Sequence, residues 1–311
     1  MVCTGCVFPY HVPAAVRGSG PRRAYMAEPT LGVIGGSGLY ELPGLSAVER
    51  VRLETPFGDP SDEFVIGRLG TTRLVFLPRH GRGHRLLPSE LPFCANLYGM
   101  KQLGAEWVVA VSAVGSLREE IAPGHVVVPD QFIDRTRGRR STFFGGGIVA
   151  HVQFADPVCP VLSAALATAA RGEGATVHAG GVYLCMEGPQ FSTRAESHLY
   201  RSWGAHVIGM TNLQEAKLAR EAEICFATLA LATDYDCWNT AHADVQIEDV
   251  LRVLQANVDL ARRTVARVAA ALPGRTGCPC PDALRHAIIT DRAAIPPAVR
   301  AALAPIAGRW L

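Results

Sequence analysis

The feature that most limits the fold of this chain is an alternation of short apolar runs with longer amphipathic segments between residues 31 and 272. The runs are rich in β-branched residues, which is typical of strands in a buried sheet. They occupy residues 31–34, 63–66, 74–77, 107–111, 126–128, 181–185 and 206–208, and a further apolar run spans 224–233. Helical patterns occupy residues 89–103, 159–171, 214–223 and 250–272. This order predicts an α/β domain, in which helices cover a mainly parallel or mixed sheet.

The two ends of the chain depart from this pattern. Residues 1–26 have neither strand nor helix periodicity, and Met26 directly precedes the first patterned segment. We therefore expect residues 1–26 to be a disordered or misassigned extension, and residues 27–311 to form a single catalytic domain. A stretch rich in Gly, Cys and Pro at 274–281 breaks the last long helix. Residues 274–311 are predicted to be a C-terminal tail with one further helix at 296–307.

Charge and hydropathy argue against several classes of protein. The 30 Lys and Arg residues nearly balance the 28 Asp and Glu residues, so the chain has no basic field for nucleic acid. No apolar run reaches the ~18–20 residues that cross a bilayer. The first residues also lack the apolar core of a secretory signal. We expect a cytoplasmic protein with neither a nucleic-acid nor a membrane partner.

The nine cysteines are scattered along the chain. A secreted disulfide framework would be denser and its chain shorter, so this usage favours the cytoplasm. Most of the cysteines lie in apolar segments and are expected to be buried small hydrophobes. Cys278 and Cys280 have a C-x-C spacing that suits zinc poorly. A local disulfide or free thiols are preferred there, and no metal site is expected.

Groups that can bind an anion follow four of the predicted strands. They are the glycine-rich turn with Ser37, the pair Arg79 and His80, the pair Ser112 and Ala113, and Thr211. Ligands of open α/β sheets gather at the carboxyl ends of strands, so together these groups can hold a phosphate without a metal. Each also has a structural alternative: a tight turn, a surface arginine, or a helix cap at Thr211 or Asn212.

A second set of residues can hold a flat polar ring. Asp234 and Asp236 follow the run at 224–233. Side chains two residues apart lie on the same side of an extended chain, so the two carboxylates would face the same way. A plain turn is the alternative. Phe191, next to Ser192, lies among turn residues after a strand, where an aromatic ring is either part of the core or a stacking platform.

Several ordered segments carry a family resemblance. They are VIGGSGLY (33–40), TPFGDPSD (55–62), LPRHGRGH (77–84), GSLREEIAPG (115–124), QFIDRT (131–136), EGPQFSTRAES (187–197), MTNLQEAKLAREAEI (210–224) and ATDYDCW (232–238). Through them the sequence resembles the trimeric purine nucleoside phosphorylase superfamily and, within it, the bacterial phosphorylases of 5′-methylthioadenosine. The resemblance extends from about residue 31 to about residue 272. It implies an α/β/α sandwich around a mixed, partly barrel-like sheet, assembled as a homotrimer.

The resemblance also implies an activity. Phosphate and 5′-methylthioadenosine would give adenine and 5-methylthioribose 1-phosphate, in purine and methionine salvage, with phosphate as co-substrate and no cofactor. The implied phosphate ligands are Ser37, Arg79, His80, Ser112, the Ala113 amide and Thr211. The implied nucleoside contacts are Met210 at the ribose, Phe191 and Ser192 at the purine, and Asp234 and Asp236 at its edge. The implied 5′-group pocket has Ile247, Val250, Leu251 and, from a neighbouring subunit, His151; ordinary core is the alternative for Val250 and Leu251.

Asp234 is the candidate catalytic acid. It would donate a proton or strong hydrogen bond to N7 of the leaving purine. To hold that proton it needs burial against Phe191 and the nearby charge of Asp236.

The aspartate pair also bears on the choice of purine. An ionised carboxylate only accepts hydrogen bonds, so it suits the 6-amino group of adenine better than a 6-oxo group. Phosphorolysis of purine nucleosides or methylthioinosine is the nearer alternative, and a non-catalytic nucleoside-binding protein the more distant one. Ser37 and Ser112 replace threonines that are common in relatives but keep the hydroxyl. Gly209 replaces an asparagine of some methylthioadenosine enzymes, which weakens the substrate prediction.

Overall fold

A computed structural model describes residues 28–36, 39, 42–240 and 247–311, with only the backbone at 247–252 and 254. Within these residues the elements follow in the order β1 (Thr30–Gly35), β2 (Ser46–Val51), β3 (Phe64–Leu69), β4 (Thr72–Pro78), α1 (Phe93–Gln102), β5 (Trp107–Ser116), β6 (Val126–Val128), β7 (Gln131–Arg135), α2 (Pro160–Gly172), β8 (Val177–Ala179), β9 (Val182–Met186), α3 (Arg194–Ser202), β10 (Val207–Gly209), α4 (Asn212–Glu221), β11 (Cys225–Asp234), α5 (Ile247–Ala270) and α6 (Pro297–Ala307). Strands and helices therefore alternate through most of the chain.

The strands form one mixed sheet of eleven strands among the described residues, with a main order of β2-β3-β4-β1-β5-β10-β9-β7. Its centre is parallel, because β4, β1, β5 and β11 run in one direction. The antiparallel pairs are β2 with β3, β3 with β4, β5 with β10, and β6 with β11. The sheet branches at β5 and does not close on itself, so it is not a complete barrel.

Strand β5 changes partner halfway along one edge. Residues 107–110 pair with β1 in parallel, and residues 115–116 pair with β10, which arrives antiparallel from the other end. Residues 111–114 face the place where β1 and β10 both end. On its other edge β5 pairs with β11 as far as Asp234, which lies opposite Gly115. Such a change of strand partner is where ligands bind in open α/β sheets.

Apolar residues of the helices cover both faces of this sheet. Helices α1, α4 and α6 pack in one cluster with the core of β3 and β4. Helices α2 and α5 pack in a second cluster on the opposite face. This confirms the predicted α/β/α sandwich. No helix in the described part of the chain has both the length and the apolar character that a membrane crossing requires.

Four described elements have no counterpart in the sequence prediction. Strands β2, β7 and β8 are short and largely exposed, so they lack the apolar run by which buried strands are recognised. Helix α3 is strongly polar but begins with a capping box between Thr193 and Glu196, a signal readable from the sequence. Helix α1 begins at Phe93, not at residue 89, because Pro88 and Pro92 confine the preceding residues to a short 3-10 turn.

Candidate active site

The guanidinium of Arg79 fills the place on β5 where β1 ends. Its Nη1 donates to the Val111 carbonyl at 2.8 Å, and its Nη2 lies 3.4 Å from the Ile34 carbonyl. Val111 is the first residue of β5 beyond those that pair with β1. The Arg79 amide in turn donates to the Gly35 carbonyl at 2.9 Å. Arg79 is buried, so the surface-arginine alternative does not hold.

The charge of Arg79 is matched by Glu215 on α4. Nε lies 2.5 Å from one carboxylate oxygen and Nη2 lies 3.0 Å from the other. Burial acts to raise the pKa of Glu215, and the guanidinium opposes it. Asn212 donates to the same carboxylate at 3.3 Å and accepts from Thr228 at 2.5 Å. This buried network fixes the guanidinium, and one Nη1 hydrogen is left without a partner among the described residues.

His80 is half-buried beside Arg79. Its Nδ1 lies 2.8 Å from the Leu86 carbonyl, and its ring stacks on His84 with centroids 4.2 Å apart. Burial lowers the pKa of His80 to about 4, which outweighs the hydrogen bond to Leu86, and the charge of Arg79 lowers it further. The imidazole is therefore neutral near pH 7, with its proton on Nδ1 toward the Leu86 carbonyl and Nε2 as a hydrogen-bond acceptor.

Two further hydroxyl groups lie in this part of the sheet. Ser112 is buried, and its Oγ lies 3.2 Å from the phenol oxygen of Tyr183. Thr211 occupies the N-cap position of α4, yet its side chain makes no capping hydrogen bond to the helix. The helix-cap alternative therefore does not apply to Thr211. Because β10 runs antiparallel to β5, Thr211 and Met210 follow it toward Ser112 and Ala113.

The two aspartates lie at the end of β11. Asp234 is exposed and accepts from the Thr233 hydroxyl and the Asp236 amide, both at 2.7 Å. Asp236 is partly buried and accepts from the Ser197 hydroxyl at 2.6 Å. Burial raises the pKa of Asp236, the Ser197 hydrogen bond opposes this, and the charge of Asp234 adds to it. The expected burial therefore occurs at Asp236 in the single chain, not at Asp234.

The residues predicted to contact the nucleoside differ in burial and in the contacts they make within the chain. The Met210 carbonyl accepts from Nη1 of Arg139 at 2.5 Å, and Arg139 is also paired with Glu187 at 3.0 Å. Ser192 is buried, with its Oγ 3.7 Å from the sulfur of Met186. Phe191 is 83% exposed. It is therefore not part of the core, and it gives Asp234 no burial within one chain.

The remaining predicted residues are not assembled with these groups within the described structure. Ser37 lies outside the described residues, and so do the side chains of Ile247, Val250 and Leu251 in the first turns of α5. His151 is exposed, and its amide donates to the Ala287 carbonyl at 2.9 Å in the C-terminal tail. Next to this contact, Ala150 forms an isolated antiparallel β-bridge with Ile288 of the tail.

Sequence reasoning missed the residues that position the others, namely Glu215, Arg139, Tyr183 and Ser197. For Glu215 a signal existed. Helix α4 is buried at every position except Lys217, although Asn212, Gln214 and Glu215 are polar. A helix of this composition that follows a buried strand indicates an internal polar network. Arg139 and Tyr183 reach the site from loops and strands distant in sequence and had no such signal.

We expect Gly209→Ala to destabilise the protein by about 1–3 kcal/mol, the usual cost of overpacking a core. A Cβ at this position would lie 1.9 Å from the phenol oxygen of Tyr183, which is buried and bonded to Ser112. Urea unfolding measures the effect, with Gly274→Ala as control because a Cβ there meets its nearest atom at 3.6 Å. Equal stability of the two variants would contradict this role of Gly209.

Comparisons with known proteins agree on one family. The sequence model of the phosphorylase superfamily matches residues 30–270. The chain is 60% identical to the S-methyl-5′-thioadenosine phosphorylase of Geobacter sulfurreducens, over 91% of this chain and all of that protein. It is 58% identical to the enzyme of the same name from Chloroflexus aurantiacus, over 92% and 99% of the two chains. A crystal structure of a methylthioadenosine phosphorylase from an antarctic soil metagenomic library is similar, with a TM-score of 0.85, 45% identity, and coverage of 90% and 99%.

Proposed function

The chain belongs to the phosphorylase superfamily, and on this premise we propose that it cleaves 5′-methylthioadenosine with phosphate to give adenine and 5-methylthioribose 1-phosphate. One arrangement carries the proposal. Arg79, His80 and the hydroxyl groups of Ser112 and Thr211 belong to one edge of β5, and the two aspartates at the end of β11 lie at its other edge. The first set suits a phosphate and the second suits the edge of a 6-aminopurine.

The phosphate groups act by position and charge. Arg79, held by Glu215, presents one N–H of its guanidinium where β1 and β10 end. The hydroxyl groups of Ser112 and Thr211 and the neutral His80 complete the proposed set, with Ser37 and the Ala113 amide. A phosphate held there offers negative charge to the oxocarbenium-like transition state and then bonds C1′ as the glycosidic bond breaks.

The aspartates act on the leaving base. As the bond to C1′ breaks, the purine gains electron density at N7, and a carboxyl group that donates a hydrogen bond there lowers the barrier. We assign this donation to Asp234, with Phe191 and Ser192 at the ring and Met210 at the ribose. Asp236 is fixed by Ser197 and accepts from the 6-amino group. Bound nucleoside and Phe191 then supply the burial that Asp234 lacks in the single chain.

The 5′-methylthio group calls for an apolar pocket, and we assign it to Ile247, Val250 and Leu251 with His151 of a neighbouring subunit in a homotrimer. Two exposed apolar side chains support a subunit contact near His151. Val149 is 49% exposed and Ile289 is 66% exposed, and the two residues are joined by a backbone hydrogen bond. If a second subunit covered Val149 and Ile289, His151 of this chain would reach the active site of that second subunit. A trimer in the cytoplasm, with no cofactor, remains our prediction.

The experiment that tests the function is base release from four nucleosides in parallel, with and without phosphate. We expect adenine from methylthioadenosine only when phosphate is present. Release without phosphate would indicate a hydrolase and contradict the assignment of Arg79. Hypoxanthine from inosine or methylthioinosine, without adenine from methylthioadenosine, would contradict the role of Asp236. Sedimentation of the same sample tests the trimer.

A further inference from the structure

Four cysteines meet at the end of the molecule opposite the candidate active site. The sulfur atoms of Cys159, Cys225, Cys278 and Cys280 all lie within 4.8 Å of one another. Cys225 begins β11, and Asp234 ends it nine residues further along the strand. At ~3.3 Å per residue the two ends of this strand are ~30 Å apart. The thiol cluster is therefore separate from the groups assigned to phosphate and purine.

The cluster joins three parts of the fold. Cys159 is the N-cap residue of α2, where its sulfur accepts from the Leu162 amide at 3.5 Å. Cys225 lies at the start of β11, and Cys278 and Cys280 lie in the segment that follows α5. Three of the four residues are buried and Cys278 is half-buried. The convergence is thus built from elements that the rest of the fold already fixes.

The distances suit a shared ion. With Zn–S bonds of ~2.3 Å, a tetrahedral site has sulfur atoms ~3.8 Å apart. The sulfur atoms of Cys225 and Cys278 are 3.5 Å apart, and no two sulfur atoms of the cluster are more than 4.8 Å apart. A disulfide needs an S–S distance of ~2.05 Å, which is much shorter than the 3.5 Å between the sulfur atoms of Cys225 and Cys278.

A cationic residue lies beside the cluster, because the carbonyl oxygen of Arg275 accepts from the Cys278 thiol at 3.5 Å. Nε of Arg275 is buried and has no hydrogen-bond partner among the described residues. A cation beside metal-bound sulfur offsets part of the negative charge of a four-thiolate site.

We propose that Cys159, Cys225, Cys278 and Cys280 bind one Zn²⁺ ion in a closed, structural site. The ion ties the C-terminal tail to the start of β11 and to α2. It holds in place the segment from Cys280 onward, in which Leu284 and Leu303 pack into the core beside α1. Four protein ligands leave no position for water, so the ion takes no part in phosphorolysis.

Metal analysis of the full-length protein tests the proposal. Protein expressed with Zn²⁺ in the medium and dialysed against metal-free buffer should retain about one zinc per chain. Refolding or exchange with Co²⁺ alone should give the sulfur-to-cobalt charge-transfer band and the intense visible bands of a tetrahedral thiolate site. Removal of the metal by a strong chelator should lower Tm by roughly 5–10 °C.

Serine variants locate the ligands. Cys278→Ser and Cys280→Ser should each lose most of the bound zinc and the cobalt charge-transfer band. Cys94→Ser, at a buried thiol in α1 outside the cluster, should retain both. Because Cys278 is half-buried in a loop, its variant is expected to stay folded, which circular dichroism checks. If Cys280→Ser does not fold, the Cys278 variant and the cobalt spectrum of the unmodified chain still decide the matter.

Two results would overturn the proposal. One is wild-type protein that holds no zinc after dialysis and shows no cobalt charge-transfer band, with all four thiols free. The other is a disulfide within the cluster in protein purified without reductant, seen as a mass two hydrogens lower that reduction reverses. Either result leaves the phosphorolysis assay unaffected, so failure here is distinct from failure of the proposed function.

Discussion

The variant Asp234→Asn is expected to lower kcat/KM for methylthioadenosine by about 10²–10⁴-fold, the usual contribution of a general acid. This corresponds to about 3–5 kcal/mol of transition-state stabilisation. Asparagine has nearly the same shape, and its oxygen can still accept from the Asp236 amide. It cannot transfer a proton to N7. The fold should therefore persist while the chemical step slows.

Steady-state kinetics with methylthioadenosine, alongside the Tm of each variant, measure this effect. The matched control is Asp259→Asn on α5, where the carboxylate pairs with Arg262 at 3.1 Å on the surface. That variant should keep full activity. A loss of less than tenfold for Asp234→Asn would remove Asp234 from the role of acid, and Asp236, whose pKa is raised by burial, would be the next group to test.

The second large effect concerns the buried ion pair. Arg79→Met removes the phosphate's positive partner and leaves the Glu215 carboxylate buried without a counter-ion. Breaking a buried pair in this way costs about 3–5 kcal/mol of stability. We expect kcat/KM for phosphate to fall by at least about 10²-fold, since a charged, fixed donor is lost. Urea unfolding and phosphate titration measure the two effects separately.

A double variant separates stability from function. In Arg79→Met with Glu215→Gln no uncompensated charge is buried, so most of the lost stability should return. The glutamine oxygen can still accept from Asn212. Activity should remain low, because no cation faces the phosphate. Arg263→Met, at an exposed pair with Glu173, should change little by comparison. Recovery of activity in the double variant would show that Arg79 serves the fold and not the phosphate.

The sequence predicted the central strands and the family correctly because both depend on local signals. Apolar β-branched runs mark β1, β4 and β5, an apolar run rich in Ala and Leu marks β11, and the segments around Arg79 and Asp234 mark the family. The edge strands β2 and β7 escaped prediction, since an exposed strand needs no apolar run. Glu215 escaped it, although α4 carries polar residues at buried positions, because its partner Arg79 lies 136 residues away in sequence.

The cysteines also show that local spacing in the sequence does not reveal contacts between distant residues. The spacing of Cys278 and Cys280 argues against a metal site when those two residues are considered alone. Their convergence with Cys159 and Cys225 depends on the start of β11 meeting the end of the segment after α5. Residues this far apart in sequence come together only through the sheet. The exposure of Asp234 has a similar cause, since the groups proposed to cover it belong to the ligand and to Phe191.

Strand β5 also fixes the distance between two parts of the candidate site. Ser112, one of the residues proposed to bind phosphate, and Gly115, against which both aspartates pack, are three residues apart on the same strand. That separation is ~10 Å and cannot stretch, because β1, β10 and β11 hold the strand from both edges. An inhibitor that joins an anionic group to an adenine-like ring must match this length. Compounds with one atom more or fewer between the two groups should make contacts at one end of the site and lose the contacts at the other end.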